Sequence, residues 1–185
     1  HNYFGPRSYH GRNGAEIIRI GDSTQSSQVS RTTVAHNLFE ECSGEAEIIT
    51  NKSCENYFRS NTFRKCRGAL TLRHGDRSLV EGNFFLGEGE RNTGGVRVIG
   101  EGHRIWNNYF CGLTGSGARA ALSIHNGIPN SPVGLYHQVK DLEVAHNTFV
   151  NNYQNVLVGY AKGKHGAILP PVGTMFANNI IIGKK

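Results

Sequence analysis

Aspartate, proline and long apolar runs are scarce in this sequence. Of its 185 residues, 5 are proline, and aspartate occurs only at Asp22, Asp76 and Asp141. No apolar segment is long enough to span a bilayer, so we expect no membrane insertion. Low proline with moderate charge excludes a disordered chain. The length suits one domain with its own core, and we expect residues 1–185 to form a single domain.

Paired cysteines are also missing. The four cysteines, Cys42, Cys54, Cys66 and Cys111, form no Cys-x-x-Cys motif, which argues against a structural zinc site. Cys42 ends the segment NLFEEC and Cys66 ends NTFRKC, so these two hold the same place in consecutive copies of one pattern. We expect reduced, buried, stacked thiols and no disulfide.

Acidic residues are fewer than basic ones. The excess of Lys and Arg over Asp and Glu gives a formal net charge of +6. A basic surface suits an anionic partner, either nucleic acid or an acidic polysaccharide. No run of Lys and Arg marks a nucleic-acid-binding tail. We therefore expect an anionic polysaccharide as partner and no nucleic acid, while the oligomeric state stays open.

Glycine and a recurring asparagine are abundant instead. The segments HNYF, HNLF, SNTF, GNFF, NNYF, HNTF and NNII begin at residues 1, 36, 60, 82, 107, 146 and 178. Four successive asparagines, Asn37, Asn61, Asn83 and Asn108, are 24, 22 and 25 residues apart. The longer steps elsewhere indicate loop insertions such as HNGIPNSPVGLYHQ. Repeats of this length, with short strands and glycine turns, indicate a solenoid.

The segments between the glycines alternate apolar and polar residues. GALTLRHG, GGVRVIG and AALSIHNG each predict a β-strand, and helical periodicity is poor. Strands stacked in parallel from coil to coil predict an all-β, right-handed parallel β-helix. The repeated asparagines are then structural. Their amides would join neighbouring coils as an asparagine ladder, and asparagine tolerates the left-handed backbone that such turns need.

Side chains that point outward from one sheet are the candidates for chemistry. With the leucines, valines and isoleucines of these strands inside, the outward residues are Thr71, Arg73, Arg97, Ser123 and His125. We expect Glu45 and Glu47 at the matching positions one coil earlier. Consecutive coils are about 4.8 Å apart, so residues distant in sequence would form one stripe. Its members are Asn13, Glu16, Glu45, Glu47, Lys52, Arg73 and Arg97.

Two interpretations of this charged stripe remain open. Clustered carboxylates beside an amide resemble a Ca²⁺ site, which takes about 6 to 8 oxygen ligands. The alternative is a solvated charge ladder. Glu45 and Glu47 repel each other unless a cation intervenes, which favours a metal. The adjacent Lys52, Arg73 and Arg97 suit the binding of a polyanion better than self-neutralisation.

The segments RNGAEIIRIG, GEAEIITNKS, LTLRHG and GGVRVIG, in this order and spacing, resemble the family 6 polysaccharide lyases. That family includes alginate lyases and a dermatan-cleaving chondroitinase, and the resemblance spans most of the chain. It implies calcium ligands at Asn13, Glu45 and Glu47, with Glu16 added in the alginate branch. It further implies Lys52 as catalytic base, Arg73 as catalytic acid, and His74 and Arg97 as substrate contacts. His125, which is predicted to face outward, is a further candidate for substrate binding.

The reaction implied by the resemblance is Ca²⁺-assisted β-elimination at uronic acid residues, with alginate as the expected substrate. Family catalytic domains carry several more coils before the equivalent of His1, so we expect this chain to be a truncated part of a longer β-helix. The chain begins without Met or a signal peptide. Secretion or export to the periplasm is therefore an inference from function only.

Three other functions remain as alternatives. A lyase for chondroitin or dermatan sulfate is the other branch of the same family. A non-enzymatic β-helical module would use the same stripe only to bind an acidic polysaccharide. A glycoside hydrolase usually needs two carboxyl groups that flank the scissile bond. The acids here cluster on one side of Lys52, which disfavours a hydrolase.

Overall fold

Three parallel sheets run the length of the molecule and enclose one core. The computed structural model describes residues 1–183. The first sheet has seven strands, in the order β1 (Tyr3–Phe4), β4 (Leu38–Glu40), β7 (Thr62–Arg64), β10 (Phe84–Leu86), β13 (Tyr109–Cys111), β16 (Thr148–Val150) and β19 (Ile180–Ile182).

The second and third sheets have six strands each. The second contains β2 (Ile18–Ile20), β5 (Glu47–Lys52), β8 (Ala69–His74), β11 (Val96–Val98), β14 (Leu122–His125) and β17 (Val156–Tyr160). The third contains β3 (Thr33–Ala35), β6 (Tyr57–Arg59), β9 (Leu79–Glu81), β12 (Arg104–Trp106), β15 (Glu143–Ala145) and β18 (Met175–Ala177). Short 3-10 turns occur at Ser23–Gln25, Gly117–Arg119 and Lys164–Gly166. None of the described residues is α-helical, and no helix among them is long and apolar enough to cross a membrane.

Each strand pairs in parallel with the equivalent strands of the coils beside it. The predicted parallel β-helix is therefore confirmed. The alternating pattern explains the core, because every second side chain of a strand points inside. In the first sheet these inward residues include a column of stacked phenylalanine rings with centroids 4.5 to 4.8 Å apart, formed by Phe4, Phe39, Phe63, Phe85, Phe110 and Phe149.

The predicted asparagine ladder is present. It runs through Asn2, Asn37, Asn61, Asn83, Asn108, Asn147 and Asn179. Each Oδ1 from Asn37 to Asn179 accepts bonds from the backbone N–H and the Nδ2 of the preceding ladder residue, for example from Asn61 to Asn83 at 2.9 and 3.0 Å. The ladder thus satisfies buried polar groups at the turn between the third and first sheets.

The left-handed residue of this turn is not the ladder asparagine, which corrects the sequence-based expectation. It is the residue before it, as at His36 (φ 56°), Ser60 (φ 53°), Gly82 (φ 63°) and His146 (φ 57°). The asparagine is used for its amide, and its neighbour takes the turn conformation.

Replacement of Asn83 by alanine is expected to destabilise the fold strongly. The change removes the acceptor of Asn61 and the donor to the Phe58 carbonyl (2.9 Å), both inside the turn. Each buried group left without a partner costs about 1–3 kcal/mol, so we expect a loss of roughly 3 kcal/mol or more. Urea unfolding of the two proteins measures this loss in the free energy of unfolding. Asn151→Gly is the control, since Asn151 is exposed with φ 51°. Equal stability of Asn83→Ala and the unmodified protein would contradict a stabilising ladder.

The four cysteines are free, as predicted. Cys42, Cys54 and Cys66 are buried, whereas Cys111 is half-buried. Cys42 and Cys66 hold equivalent places, since their Sγ atoms donate to the carbonyls of Phe4 and Phe39, each at 3.3 Å. The repeated cysteine is a small core residue of the solenoid.

The register of the second sheet differs from the expected one in one coil. Thr71 lies opposite Thr50 and Arg97, and Lys52 lies opposite His74. Glu47 pairs with Ala69, and the register shifts after Glu47 and again after Asn51. Glu45 and Glu47 therefore do not occupy the positions of Thr71 and Arg73. Local bulges offset the two strands, and a pattern of strict alternation does not detect them.

Candidate active site

The predicted catalytic and metal-binding residues meet in one pocket, which we call the site pocket. It has a volume of about 290 Å³ and lies on the outer face of β2, β5, β8 and β11. Eight of the nine predicted site residues line it, namely Asn13, Glu16, Glu45, Glu47, Lys52, Arg73, His74 and Arg97. They come from successive coils, so parallel stacking brings them together.

Strand direction separates two ends of the site pocket. Glu47 is the first residue of β5 and Lys52 is the last. Arg73 and His74 likewise end β8. Because the strands are parallel, their starts align at one edge of the sheet and their ends at the other. The carboxylates therefore gather at the strand starts, and the lysine, arginine and histidine gather at the strand ends.

Two of the three carboxylates are paired with arginines. Arg19 donates a hydrogen bond to Glu16, and Nη1 of Arg97 donates to Oε1 of Glu47 at 3.3 Å. Thr50 Oγ1 donates to the other oxygen of Glu47 at 2.6 Å. The expected division into separate acidic and basic surfaces is therefore only partly correct. The side chain of Arg97 reaches from β11 across to β5 and neutralises Glu47 directly.

Glu45 is the carboxylate that forms no salt bridge among the described residues. It is 8% exposed. Burial, followed by the negative charges of Glu16 and Glu47, raises the pKa of Glu45 to about 7. Burial is the largest influence on Glu16 and acts to raise its pKa, but the hydrogen bond from Arg19, a backbone hydrogen bond and the charge of Arg19 together outweigh burial and lower that pKa. The three carboxylates thus lie close together, and arginines neutralise two of them but not Glu45.

This acid cluster supplies oxygen atoms that could bind a metal ion, but the carboxylates are not arranged as a complete set of ligands. Oε2 of Glu16 is buried and has no hydrogen-bond partner among the described residues. Within residues 1–183, no three His, Cys, Asp or Glu side chains are arranged to hold a metal ion. Arg19 and Arg97 hold Glu16 and Glu47 in ion pairs. A donor set made only of oxygen atoms fits a hard cation such as Ca²⁺, and a cation would compete with these arginines.

Arg73 is held by a loop and forms no salt bridge within the described part of the chain. Its Nη1 donates to the Leu135 carbonyl at 3.4 Å, and its Cζ lies 4.2 Å from the centroid of the Tyr136 ring. Burial lowers the pKa of Arg73. His74 is 3% exposed, and burial followed by the charges of Arg73 and Lys52 lowers its pKa to about 3. The imidazole of His74 is therefore neutral at neutral pH.

The predicted loop insertion crosses the site pocket. Residues 127–138 follow β14, and Gly134 reaches Ser23 in the turn after β2. Gly134 has a φ of +86°, and a Cβ built there would lie 3.0 Å from Cβ of Ser23, so glycine permits this close approach. Gly134 and Tyr136 line the pocket. The loop therefore forms one wall of the site.

The outward row beyond Arg97 is covered, which corrects the expected open surface at Ser123 and His125. Thr71 and Ser123 are fully buried and His125 is 2% exposed. The His125 ring stacks on Tyr136 with centroids 4.5 Å apart and an interplanar angle of 3°. Tyr160 packs edge-on against the same imidazole at 5.1 Å. His125 does not line the site pocket, because the loop and Tyr160 lie over it.

Three residues of the site are not singled out by the sequence pattern. Arg19 and Thr50 are paired neighbours in β2 and β5 and bind Glu16 and Glu47. Alternation in EIIRIG and EIITNK places both outward, which is the signal that identifies them. Tyr136 lies in an insertion without any periodic pattern. Its place beside Arg73 follows only from the path of the loop.

Acidification is expected to destabilise the protein through its buried histidines. Burial lowers the pKa of His74 to about 3 and that of His125 to about 4, both from 6.5. A lowered histidine pKa favours the neutral form in the folded state. Its contribution is complete above about pH 6.5 and is lost as the pH falls towards the folded-state pKa. The raised pKa of Glu45 acts in the opposite direction over this range, but the two histidine shifts together are larger. The free energy of unfolding should therefore fall between about pH 6.5 and about pH 4.

Urea unfolding at several pH values measures this slope. The His125→Gln variant should show a shallower fall in this range. The matched control is His10→Gln, because His10 is exposed. A slope that His125→Gln leaves unchanged would contradict the assignment.

A second, larger cleft of about 560 Å³ lies beside the turn between the first and second sheets. Its charged lining residues are Arg7, Lys65, Arg67, Glu41, Glu88 and Glu90. Acids and bases are equal in number there, and Glu88 is already paired with Arg64 at 2.7 Å. The site pocket instead contains Glu45 and His74, whose pKa values are shifted strongly by burial and by neighbouring charges, which is typical of functional sites.

Solved structures that are similar to this chain are polysaccharide lyases with this fold. The family 6 alginate lyase AlyGC is 44% identical with a TM-score of 0.91, over 94% of this chain and 24% of that one. A mannuronic acid specific family 6 lyase from human gut microbiota is 36% identical with a TM-score of 0.82, over 98% and 42%. The family 6 lyase Pedsa3628 from Pseudopedobacter saltans is 27% identical with a TM-score of 0.81, over 98% and 48%.

The family itself follows from the sequence match. The model of the chondroitinase B family matches residues 1–183. The chain belongs to polysaccharide lyase family 6, the family of these alginate lyases and of chondroitinase B. No curated protein matches the chain. The chain spans about a quarter of the length of AlyGC and less than half of the other two relatives.

Proposed function

We propose that the protein cleaves alginate by Ca²⁺-assisted β-elimination at uronic acid residues. This proposal rests on one observation. The same pocket is lined by Lys52, Arg73, Glu45 and Glu47. Of the relatives named above, AlyGC is described as an alginate lyase and the lyase from human gut microbiota as mannuronic acid specific, which supports the same substrate class. Since the chain covers 24% of AlyGC, the activity of the whole protein is part of the proposal.

Lys52 acts as the base in this reaction. Its amine, in the neutral form, removes the proton on C5 of the uronate. The electron pair of the C5–H bond forms the C4–C5 double bond, and the bond from C4 to the glycosidic oxygen breaks. The products are one new reducing end and one unsaturated sugar. No oxidant or reductant is consumed.

Arg73 stabilises the charge that develops on the leaving oxygen. A guanidinium is a strong donor and a weak acid, so it serves best as an electrostatic partner that relays a proton through water. The neutral His74 lies beside it at the end of β8. Arg97 and His74 contact the substrate in this proposal, and His125 supports that region from beneath.

Asn13, Glu45 and Glu47, with Glu16, would hold the calcium ion. The chemistry that this ion would supply is neutralisation of the substrate carboxylate, which would lower the cost of removing the C5 proton. The crowded acids and the unpartnered Oε2 of Glu16 support this donor set. The ion pairs of Arg19 and Arg97 are the interactions that such an ion would weaken.

The charge of the pocket favours alginate over a sulfated polymer. Of its four cationic side chains, Arg19 and Arg97 are paired with acids, whereas Lys52 and Arg73 form no salt bridge among the described residues. A sulfated galactosaminoglycan needs further cations for its sulfates. Alginate presents one carboxylate per sugar and no sulfate. The second candidate, a lyase for dermatan or chondroitin sulfate, is favoured by the name of the matching family model.

Ultraviolet absorbance of the conjugated double bond tests the proposal. The protein is incubated with alginate, dermatan sulfate and chondroitin sulfate at equal uronate concentration, and initial rates are compared. We expect the fastest rise with alginate. Faster cleavage of dermatan sulfate would replace the proposed substrate with the second candidate. Reducing ends without absorbance would indicate a hydrolase, and binding without either product would indicate a binding module.

A further inference from the structure

A slot opens between Arg73 and His125 on the outer face of the second sheet. Val98 of β11 pairs with Leu72 on one side and with Ile124 on the other. The next residues of β8 and β14 are Arg73 and His125, which are thus level with each other. With β11 between them, they lie two strand spacings apart, or about 9.6 Å. Ile99, which follows β11 and is fully buried, lies level with them.

The ring of Tyr136 fills this slot. It lies 4.2 Å from the guanidinium carbon of Arg73 and stacks 4.5 Å from the imidazole of His125. Together these two distances are about 1 Å less than the two strand spacings between Arg73 and His125, so one ring is enough to bridge them. The loop therefore inserts an aromatic ring into the column of outward side chains, level with Ile99, and the guanidinium carbon of Arg97 lies farther from this ring, at 5.9 Å.

Contacts on the far side keep this ring in place. The His125 ring is parallel to Tyr136 within 3°, and its Nδ1 is bonded to the Asn126 carbonyl at 2.7 Å. Tyr160 closes the stack edge-on at an angle of 85°. On the loop, the amide of Ile128 donates to the carbonyl of Tyr136 at 2.8 Å. The ring has little freedom to turn away from Arg73.

Arg73 depends on this ring because no acid within the described residues pairs with it. Its side-chain hydrogen bond within residues 1–183 is the weak one to the Leu135 carbonyl at 3.4 Å. A long arginine side chain without a fixed partner samples several rotamers. A cation over an aromatic face is held electrostatically, and more strongly when both are partly desolvated.

We propose that Tyr136 is the positioning residue of Arg73, with His125 as the support behind its ring. The face of the ring, rather than the hydroxyl, directs the guanidinium towards the leaving oxygen. This inference rests on the proposed β-elimination for its catalytic consequence. Its geometric part, the contact between ring and guanidinium, is independent of the reaction.

Kinetics of Tyr136 variants test the catalytic part. Tyr136→Leu, which keeps the apolar bulk, and Tyr136→Ala should lower kcat by about ten- to a hundredfold, the size of effect that misplacement of a catalytic group causes. KM should change by less than about threefold, because the ring acts in the transition state. Tyr136→Phe should retain most of kcat. The matched control is Tyr153→Ala, since Tyr153 is 78% exposed and lies outside the pocket.

A double-mutant cycle separates positioning from a general structural role. In an Arg73→Lys background, Tyr136→Leu should reduce kcat by less than about twofold, because coupled residues are not additive. An equal loss in both backgrounds would overturn the proposal. A loss in Tyr136→Phe as large as in Tyr136→Leu would also overturn it, since the hydroxyl would then be the active group.

Nuclear magnetic resonance tests the contact without substrate. The side-chain Nε–H signal of Arg73, assigned by its absence in Arg73→Lys, should be shifted upfield by the ring current of Tyr136. It should move downfield in Tyr136→Leu and stay in Tyr136→Phe. An unchanged signal in Tyr136→Leu would overturn the contact. Absence of lyase activity in the unmodified protein would instead refute the proposed function, and the NMR result would still decide the placement of Arg73.

Discussion

Replacement of Lys52 by alanine is expected to lower the turnover of alginate by about 10² to 10⁴, the usual contribution of a general base. Arg73→Ala should cause a loss of the same order, because the guanidinium that stabilises the charge on the leaving oxygen is then missing. The fold should persist, since both residues lie at the outer ends of their strands and not in the core. Stopped-flow or steady-state absorbance of the unsaturated product measures both effects.

Two controls make this result specific. Lys140→Ala and Arg104→Ala remove the same charges from exposed positions away from the site pocket. Both should keep full turnover. If Lys52→Ala retained most of its activity at neutral pH, Lys52 would have to be removed from the mechanism. If Arg73→Ala retained most of its activity, Arg73 would have to be removed from the mechanism as well.

Removal of calcium is expected to abolish turnover and to lower the melting temperature. A ligand present at about 100 times its Kd stabilises the folded state by about 2.7 kcal/mol, so a chelator should produce a measurable fall. Added Ca²⁺ should restore both properties. The Glu47→Gln variant should behave like the chelated protein, because it loses a charged ligand and also the ion pair with Arg97.

Isothermal titration calorimetry measures the binding itself and needs no activity. Ca²⁺ should release heat on binding to the unmodified protein and much less on binding to Glu47→Gln. Glu101→Gln is the matched control, since Glu101 lies outside the site pocket and pairs only loosely with Lys140 at 3.9 Å. No heat from the unmodified protein, together with a melting temperature that Ca²⁺ does not change, would refute the metal site.

The extent of the sequence-based prediction can be traced to particular residues. Asn37, Asn61 and Asn83 recur at nearly constant spacing, and this spacing alone predicts stacked coils and the ladder. All seven members of the expected outward stripe line the site pocket, because parallel coils place equivalent positions side by side, whereas His74 was implied only by the family resemblance. Alternation was less reliable at β5, where the bulges after Glu47 and Asn51 shift the register.

Interactions between side chains of different coils were beyond the reach of the pattern. The pairing of Arg97 with Glu47 depends on the length and direction of one side chain across two strand spacings. The burial of Ser123 and His125 depends on a loop that the sequence marks only as an insertion. Neither the ion pair nor the burial repeats from coil to coil, so the spacing of residues in the sequence does not predict them.

The sequence by itself determined the solenoid, its ladder and the kinds of residue that face outward on one sheet. These properties repeat in every coil, and a repeated local pattern folds in the same way each time. Only the tertiary structure decided that Tyr136 enters the slot between Arg73 and His125. The reason is physical: the loop 127–138 is placed by contacts with distant coils, such as that of Gly134 with Ser23, and these exist only after the coils have stacked.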